Sequence, residues 1–359
     1  MIDFYSSMPH YAAHLAPIHA ALAETDRGEF YSAYGVGWGE RIPRDRYRAD
    51  RLTVVAAWQD VARLVHHRRL VYVEHGAGQV YVDRADHEAY SGGGARHPER
   101  VVGYVCPSET VADRWRRARP GVAAVAVGCP KLDRFAQVLH DASGDVVRDA
   151  STVVTSDASP SSTSDTCRLP VGDTSARAGG DRSVAVTFHW PNALCPEAGS
   201  ALRHYEWALR GLCSSWRAAG WNVVGHGHPR LLGHLGPVWA RSGVDVVADA
   251  DAILADATVL VADNTSLMYE MAALDRPVVA LNAPWYRRHV EHGLRFWSHV
   301  PGWQVDDADA LRAIDLDAYV DDDPSAGLRR AAAGFVYAHL DGNASRRAGE
   351  FIVQLERST

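Results

Sequence analysis

Thr258-Val259-Leu260-Val261-Ala262 leads into Asp263-Asn264-Thr265-Ser266, then Leu267 to Leu274, then Asp275-Arg276-Pro277 and Val278-Val279-Ala280-Leu281. The first and last runs are short, apolar and β-branched, the pattern of strands covered on both faces. The run between them holds no Gly or Pro and reads as a helix. Strand, hydroxyl-rich turn, helix, turn and strand make a βαβ unit, and its two strands lie parallel in one sheet.

Working outward, the same rhythm fills both halves of the chain. In the second half, strands are predicted at Ser183–Phe188, Asn222–Gly225, Asp245–Val247, Thr258–Ala262 and Pro277–Leu281, with helices at Ser200–Ala218, Asp249–Ala255 and Ser266–Ala273. A closing helix is expected from Leu328 to about Leu355. In the first half, strands are predicted at Ile2–Tyr5, Leu52–Ala56, Leu70–Glu74, Val101–Cys106 and Ala123–Val127. Helices are predicted at His10–Ala23, Gln59–His66 and Glu109–Arg117, the last with Ser108 as N-cap. Between the halves, Asp141 to Asp181 is crowded with Ser, Thr, Asp and Gly and has no apolar period. It reads as a linker or disordered insertion. The chain thus divides into a doubly wound domain at 1–140, the insertion at 141–181, a second doubly wound domain at 182–325 and a C-terminal helix at 326–359.

Composition narrows the function. At 359 residues and 47% hydrophobic, the chain can bury two cores. Its net charge of −7 argues against nucleic acid and other polyanions as general partners. No stretch approaches the roughly 20 apolar residues of a membrane span, and the N-terminus lacks a signal-peptide pattern, so a cytoplasmic location is expected. The five cysteines (Cys106, Cys129, Cys167, Cys195 and Cys213) are scattered and form no C-x-x-C pair, which excludes a zinc framework and a disulfide framework. His66-His67-Arg68-Arg69 and Arg114-Trp115-Arg116-Arg117 are small basic clusters. They could make peripheral contact with an anionic membrane face or a polymeric acceptor, though a solvated helix face is the stronger reading.

Open parallel sheets present their ligand crevice at the carboxyl ends of the strands, and four segments there can carry chemistry. In Glu74-His75-Gly76-Ala77-Gly78, a strand empties into a histidine suited to proton transfer near neutrality, beside two glycines that admit close backbone approach. Gly128-Cys129-Pro130-Lys131-Leu132-Asp133 is by itself a Gly/Pro turn. Gly225-His226-Gly227-His228-Pro229-Arg230 offers imidazoles and an Arg fork for phosphate oxygens, but lacks further ligands at metal spacing. Asp263-Asn264-Thr265-Ser266 presents backbone N–H groups and hydroxyls to an anion, a phosphate cradle without a Walker lysine. Ordinary helix capping produces the same pattern. Glu270, four residues after Ser266, falls on the same helix face, within reach of a ribose. His10 and His14 follow the first strand and could line the other side of the cleft.

In their order, these motifs resemble the CDP-glycerol glycerophosphotransferase family of teichoic-acid-type enzymes. The resemblance is carried by His75-Gly76, by the G-x-P-x-x-D of Gly128, Pro130 and Asp133, by His228-Pro229, and by the D-x-[ST]-S turn of Asp263 to Ser266 followed by Arg276-Pro277. It implies a GT-B fold, two Rossmann-like doubly wound parallel-sheet domains facing a central cleft. It also implies His75 as catalytic base, with His228, Thr265 and Ser266 on the donor's pyrophosphate. Gly76, Gly78, His226, Arg230, Asp263, Asn264 and Glu270 complete the donor side, and His10 and His14 the acceptor side. The chain is similar, too, to UDP-N-acetylglucosamine 2-epimerases, through Glu270 and the Arg276-Pro277 strand entry.

The implied reaction is direct displacement. A polyol, glycan or lipid-linked hydroxyl, deprotonated by His75, attacks a nucleotide-linked donor, with no cofactor or metal needed. A UDP-sugar-dependent glycosyltransferase or epimerase is the alternative. A nucleotide-sugar-binding protein without turnover is another, favoured by the absence of a lysine after Gly78, where Gln79 and Val80 follow.

Overall fold

The structure, a computed structural model, describes residues 1–32, 48–75, 97–136, 138, 182–190, 200–229, 231–286 and 297–358. Gly76, Gly78, Arg230 and the insertion at 141–181 lie outside the described residues.

The first half forms six parallel strands: β1 (Ile2–Ser6), β2 (Arg27–Ser32), β3 (Thr53–Val55), β4 (Leu70–Val73), β5 (Val101–Cys106) and β6 (Ala123–Ala126). Their order is β2-β1-β3-β4-β5-β6. The second half repeats the plan with β7 (Ser183–Phe188), β8 (Asn222–Gly227), β9 (Asp245–Val246), β10 (Val259–Ala262), β11 (Val278–Leu281) and β12 (Trp303–Val305). Read from the other edge, that sheet runs β9-β8-β7-β10-β11-β12. Chain order reverses direction between β1 and β3 in one sheet and between β7 and β10 in the other, and those two switch points are where doubly wound sheets open a crevice.

Both sheets are covered on both faces. Phe4, Leu15, Val54 and Val71 pack on one side of the first sheet, and Tyr5, Tyr72, Tyr104 and Trp115 on the other. In the second sheet Val186, Leu209 and Trp239 oppose Leu260, Met268 and Met271. The helices follow as α1 (Pro9–Ala21), α2 (Trp58–Arg63) and α3 (Glu109–Ala118), where Ser108 accepts from the Val111 N–H as the predicted cap. Then come α4 (Leu202–Ala218), α5 (Leu232–Arg241), α6 (Ala250–Asp256), α7 (Leu267–Ala273), α8 (Ala308–Arg312), α9 (Leu316–Asp322), α10 (Ala326–Val336) and α11 (Ala344–Arg357).

The C-terminal region differs from the single closing helix expected from Leu328 to Leu355. It is two helices: α10 packs with Ala332, Ala333 and Val336 on the second sheet, and α11 crosses back to bury Ala344, Ala348 and Ile352 on the first. The break is built by Gly342, at φ +68°, against which a Cβ would lie 2.6 Å from that of Ala136. The Asp133 carboxylate then accepts from the Ala344 and Ser345 N–H groups at 3.1 and 2.6 Å, capping the new helix. Gly128, at φ +94°, leaves room for the His339 carbonyl. The G-x-P-x-x-D segment is thus the socket for the returning chain. Helix α5 was not predicted because Gly233, Gly236 and Pro237 oppose it locally; burial of Leu235, Val238 and Trp239 overrides them.

Two charged devices hold turns in place. Asp275 and Asp323 adopt left-handed backbone, at φ 51° and 42°, where Gly would be usual. Both carboxylates grip the fully buried Arg329, Asp275 at 2.8 Å and Asp323 at 2.5 and 2.7 Å. In the first domain, buried Asp60 accepts from the Ser7 N–H at 3.3 Å, and Gln59 donates to the Ser7 hydroxyl at 2.9 Å. These bonds tie the turn before α1, the helix that carries His10, to the start of α2. Burial raises the Asp60 carboxyl to about 6, against hydrogen bonds from Ser7 and the charge of Arg63.

Replacing Arg329 by Leu should cost about 2–4 kcal/mol in urea unfolding, below the full value for a buried pair because both carboxylates keep some contact with water. For Asp60, the unfolded carboxyl titrates at its ordinary 3.8 and the folded one near 6. Between these values the folded chain holds the extra proton, so its stability falls as pH rises through the folded value. Asp60→Asn, which cannot ionise, should escape that loss. The melting temperature of the wild type relative to this variant is expected to drop from about pH 4 to about pH 7 and then level off.

Candidate active site

Both switch points deliver imidazoles to one interdomain space. From the first domain, α1 carries His10, Tyr11 and His14 straight out of β1, and β4 ends in Glu74-His75. From the second, β7 ends in His189-Trp190 and β8 in His226-Gly227-His228. The His75 ring lies 4.5 Å from that of Tyr11, 6.2 Å from His10 and 6.3 Å from His14. Across the divide, His10 meets His228 edge-on at 5.0 Å, and His228 lies 5.6 Å from His189 and 5.8 Å from Trp190. Four candidate histidines, His10, His14, His75 and His228, therefore form one continuous cluster. His189 and Trp190 join it unforeseen, although the strand-end rule that selected His75 applies equally after Phe188.

Burial disfavours the charged form of two imidazoles here, His14 and His226. His14 is buried, and burial together with the charges of Lys131, His75 and His10 holds it well below the ordinary imidazole value. His226 is lowered chiefly by burial, with Lys131 adding and the Val247 carbonyl and Asp249 opposing. Its Nδ1 donates to the Val247 carbonyl at 2.7 Å, which leaves Nε2 as the acceptor of the neutral ring. The strand runs through Gly227, further than predicted, because a Cβ there would meet Leu235 at 2.2 Å and Gly alone lets α5 approach.

After β10, Asp263 is wholly buried and its oxygens are engaged by the His189 N–H at 2.6 Å, the Ala201 N–H at 2.9 Å and the Ser200 hydroxyl at 3.1 Å. It joins the ends of β7 and β10 to the start of α4, directly at the switch point. Asn264 is buried beside it. The Thr265 hydroxyl accepts from the Leu267 N–H at 3.3 Å and retains a proton to donate. Ser266 donates to Glu270 at 3.4 Å. The spacing that put Glu270 near a ribose places its carboxylate in a buried ion pair with Lys131 at 2.5 Å. Arg276 donates to the carbonyls of Leu254, Ala255 and Ala257 at 2.6, 3.0 and 3.1 Å, closing α6.

Among the described residues no group of three or more His, Cys, Asp or Glu side chains is placed to hold a metal. Cys106, Cys129 and Cys213 are buried, and burial raises each thiol, which disfavours the thiolate a nucleophile needs. No helix among the described residues is long and apolar enough to cross a membrane.

The sequence profile of the family described as CDP-Glycerol:Poly(glycerophosphate) glycerophosphotransferase matches residues 238–354. No curated protein sequence matches the chain. The solved wall teichoic acid polymerase TagF superposes with a TM-score of 0.62 at 12% identity, over 100% of this chain and 89% of that one. The S. aureus MnaA–UDP co-structure gives 0.54 at 11% identity over 99% and 97% of the two chains. A putative UDP-N-acetylglucosamine 2-epimerase from Listeria monocytogenes gives 0.53 at 12% identity over 100% and 97%. The chain thus has the GT-B fold of two doubly wound parallel sheets, and its resemblance to the CDP-glycerol glycerophosphotransferases is matched by that family's profile over 238–354, a stretch that contains the Asp263–Ser266 turn and Arg276-Pro277.

Proposed function

We propose that the chain transfers a glycerophosphate or glycosyl group from a nucleotide-activated donor to an acceptor hydroxyl in the interdomain space. The observation that carries this reading is the meeting of His10, His14 and His75 from the first domain with His228 from the second, where His189, its ring 5.6 Å from that of His228, donates its backbone N–H to Asp263 at the head of the Thr265-Ser266 turn. A neutral His75 takes the acceptor proton as the hydroxyl oxygen forms its bond to phosphorus. The bond from that phosphorus to the nucleotide's phosphate oxygen breaks, and the nucleotide leaves as its monophosphate. In glycosyl transfer the attack falls on the anomeric carbon and a nucleoside diphosphate leaves. The Thr265 hydroxyl and an N–H of His228 would receive the charge that grows on the leaving phosphate, and Ser266, whose hydroxyl proton goes to Glu270, would hold the turn in shape. A neutral imidazole suits a base acting near pH 7.

A cytidine donor is favoured by the family profile over 238–354 and by the fold shared with TagF, one variant of which was soaked with CDPG. A uridine donor is the second reading, favoured by the likeness to the UDP-bound MnaA structure. Acceptors of the polyol, glycan or lipid-linked kind fit the first reading, and such an enzyme would work in the cytoplasm or at the inner face of the membrane.

Calorimetry with CDP-glycerol, CDP, UDP-N-acetylglucosamine and UDP separates these readings. The first predicts binding on the order of micromolar by cytidine ligands, weakened about 10- to 100-fold when Thr265 and Ser266 are both replaced by Ala. Preference for uridine ligands would transfer the assignment to the second reading. Absence of binding by all four would refute a nucleotide-donor site. His75→Asn should lower kcat about 10²- to 10⁴-fold while leaving the donor Kd within a few-fold of wild type. Equal losses in kcat and donor affinity would assign His75 to donor binding instead.

A further inference from the structure

Lys131 sits in the 3₁₀ turn Pro130–Phe135 that follows β6, yet it works in the other domain. Its neighbours Cys129 and Leu132 pack among Leu254, Leu260, Met268 and Met271 of the second sheet. Its ammonium, 6% exposed, donates to Glu270 at 2.5 Å and lies 3.5 Å from Asp251. The other oxygen of Glu270 receives the Ser266 hydroxyl at 3.4 Å. An unbroken polar chain, Lys131 to Glu270 to Ser266, therefore runs from the domain that carries His14 and His75 to the turn assigned to the donor. Burial opposes the charge on Lys131, but Glu270 and Asp251 outweigh it and keep the group cationic.

A buried ion pair seldom adds stability over a well-packed apolar pair of the same volume, so the gain from burying this one lies in geometry and field. The field has targets on both sides. Burial is the chief cause that lowers both His14 and His226, and the charge of Lys131 adds to it, alongside His75 and His10 at His14 and against the Val247 carbonyl and Asp249 at His226. We propose that Lys131 is a positioning residue of the interdomain site, whose buried pair with Glu270 orients Ser266 and whose ammonium adds a positive field at His14 and His226. Imidazoles that stay uncharged remain able to accept a proton, whereas a cationic cluster could only donate. The orienting half of the proposal rests on the donor-site reading of Ser266; the electrostatic half does not.

The test is a titration of the histidine ring signals by NMR in the full chain, paired with calorimetry using CDP and UDP. Lys131→Met combined with Glu270→Gln removes both charges and leaves no unpaired ion between the two positions. His14 and His226 should then titrate at higher pH than in wild type, and the affinity for whichever nucleotide binds should fall about tenfold. Glu270→Gln alone keeps the ammonium, so it should weaken nucleotide binding similarly without raising either histidine. Unchanged His14 and His226 titrations in the double variant, or a rise in Glu270→Gln alone, would overturn the electrostatic role. Unchanged nucleotide affinity in both variants would overturn the orienting role. If neither nucleotide binds the wild type, the donor reading fails, and the ring titrations still decide what Lys131 does.

Discussion

The contact between Asp133 and the first turn of α11 governs the molecule, because it fastens to the first domain a helix that the chain adds only after completing the second. A chain that ended on the second domain would leave Leu15, Ile18 and Leu22 of α1 without the cover of Ala344, Ala348 and Ile352. The return crossing supplies that cover, and it requires a tight break after α10, a receptor for free backbone N–H groups, and room for the incoming carbonyl. Gly342, Asp133 and Gly128 meet those needs in turn. Gly103 extends the same logic at the far end of the helix, where a Cβ would come within 2.4 Å of Leu355. Arg69 then donates to the Leu355 carbonyl at 3.1 Å, near the helix C-terminus, where a cation is favoured.

With that crossing in place, the segment from Gly128 to Phe135 does more than connect strands. Asp133 fastens the returning helix to the first domain, while Lys131, two residues earlier, reaches Glu270 of the second. A single six-residue turn thus fixes the spacing of both switch points, and the imidazoles of His10 and His228 meet at 5.0 Å as a consequence. Because Arg134 also pairs with Asp251, that turn anchors α6 as well as α7.

Much of this was legible in the sequence because strands buried on both faces leave apolar runs that nothing else resembles. Val259–Ala262 and Val278–Leu281 were read within a residue of their ends, and the strand-end rule led directly to His75, His228 and the Asp263–Ser266 turn. Elements held by tertiary contacts escaped the same reading. Strand β2, Arg27–Ser32, is a half-exposed edge with little apolar content, and α5 is rich in Gly and Pro. The break in the closing helix has a local signal, the turn Asp341-Gly342-Asn343 inside Leu328–Leu355, whereas the socket that receives the returning chain, Gly128 and Asp133, lies some two hundred residues upstream.

Motif reading has a related limit, which Glu270 illustrates. Helical spacing correctly placed it on the face of Ser266, and the 3.4 Å contact between them follows from that spacing. Spacing within a helix, however, says nothing about a partner from another domain, and Lys131 takes the carboxylate that would otherwise face a ribose. Asp263 behaves likewise: three donors from β7 and α4 claim its oxygens and draw the two strands of the switch point together. The acidic residues of the motif are therefore spent on holding the crevice in shape, and the groups left to meet a ligand are hydroxyls and imidazoles. That division suits a polyanionic ligand, since carboxylates at the surface of the crevice would repel a pyrophosphate, while the same carboxylates sunk behind it and neutralised by Lys131 and backbone N–H groups do not.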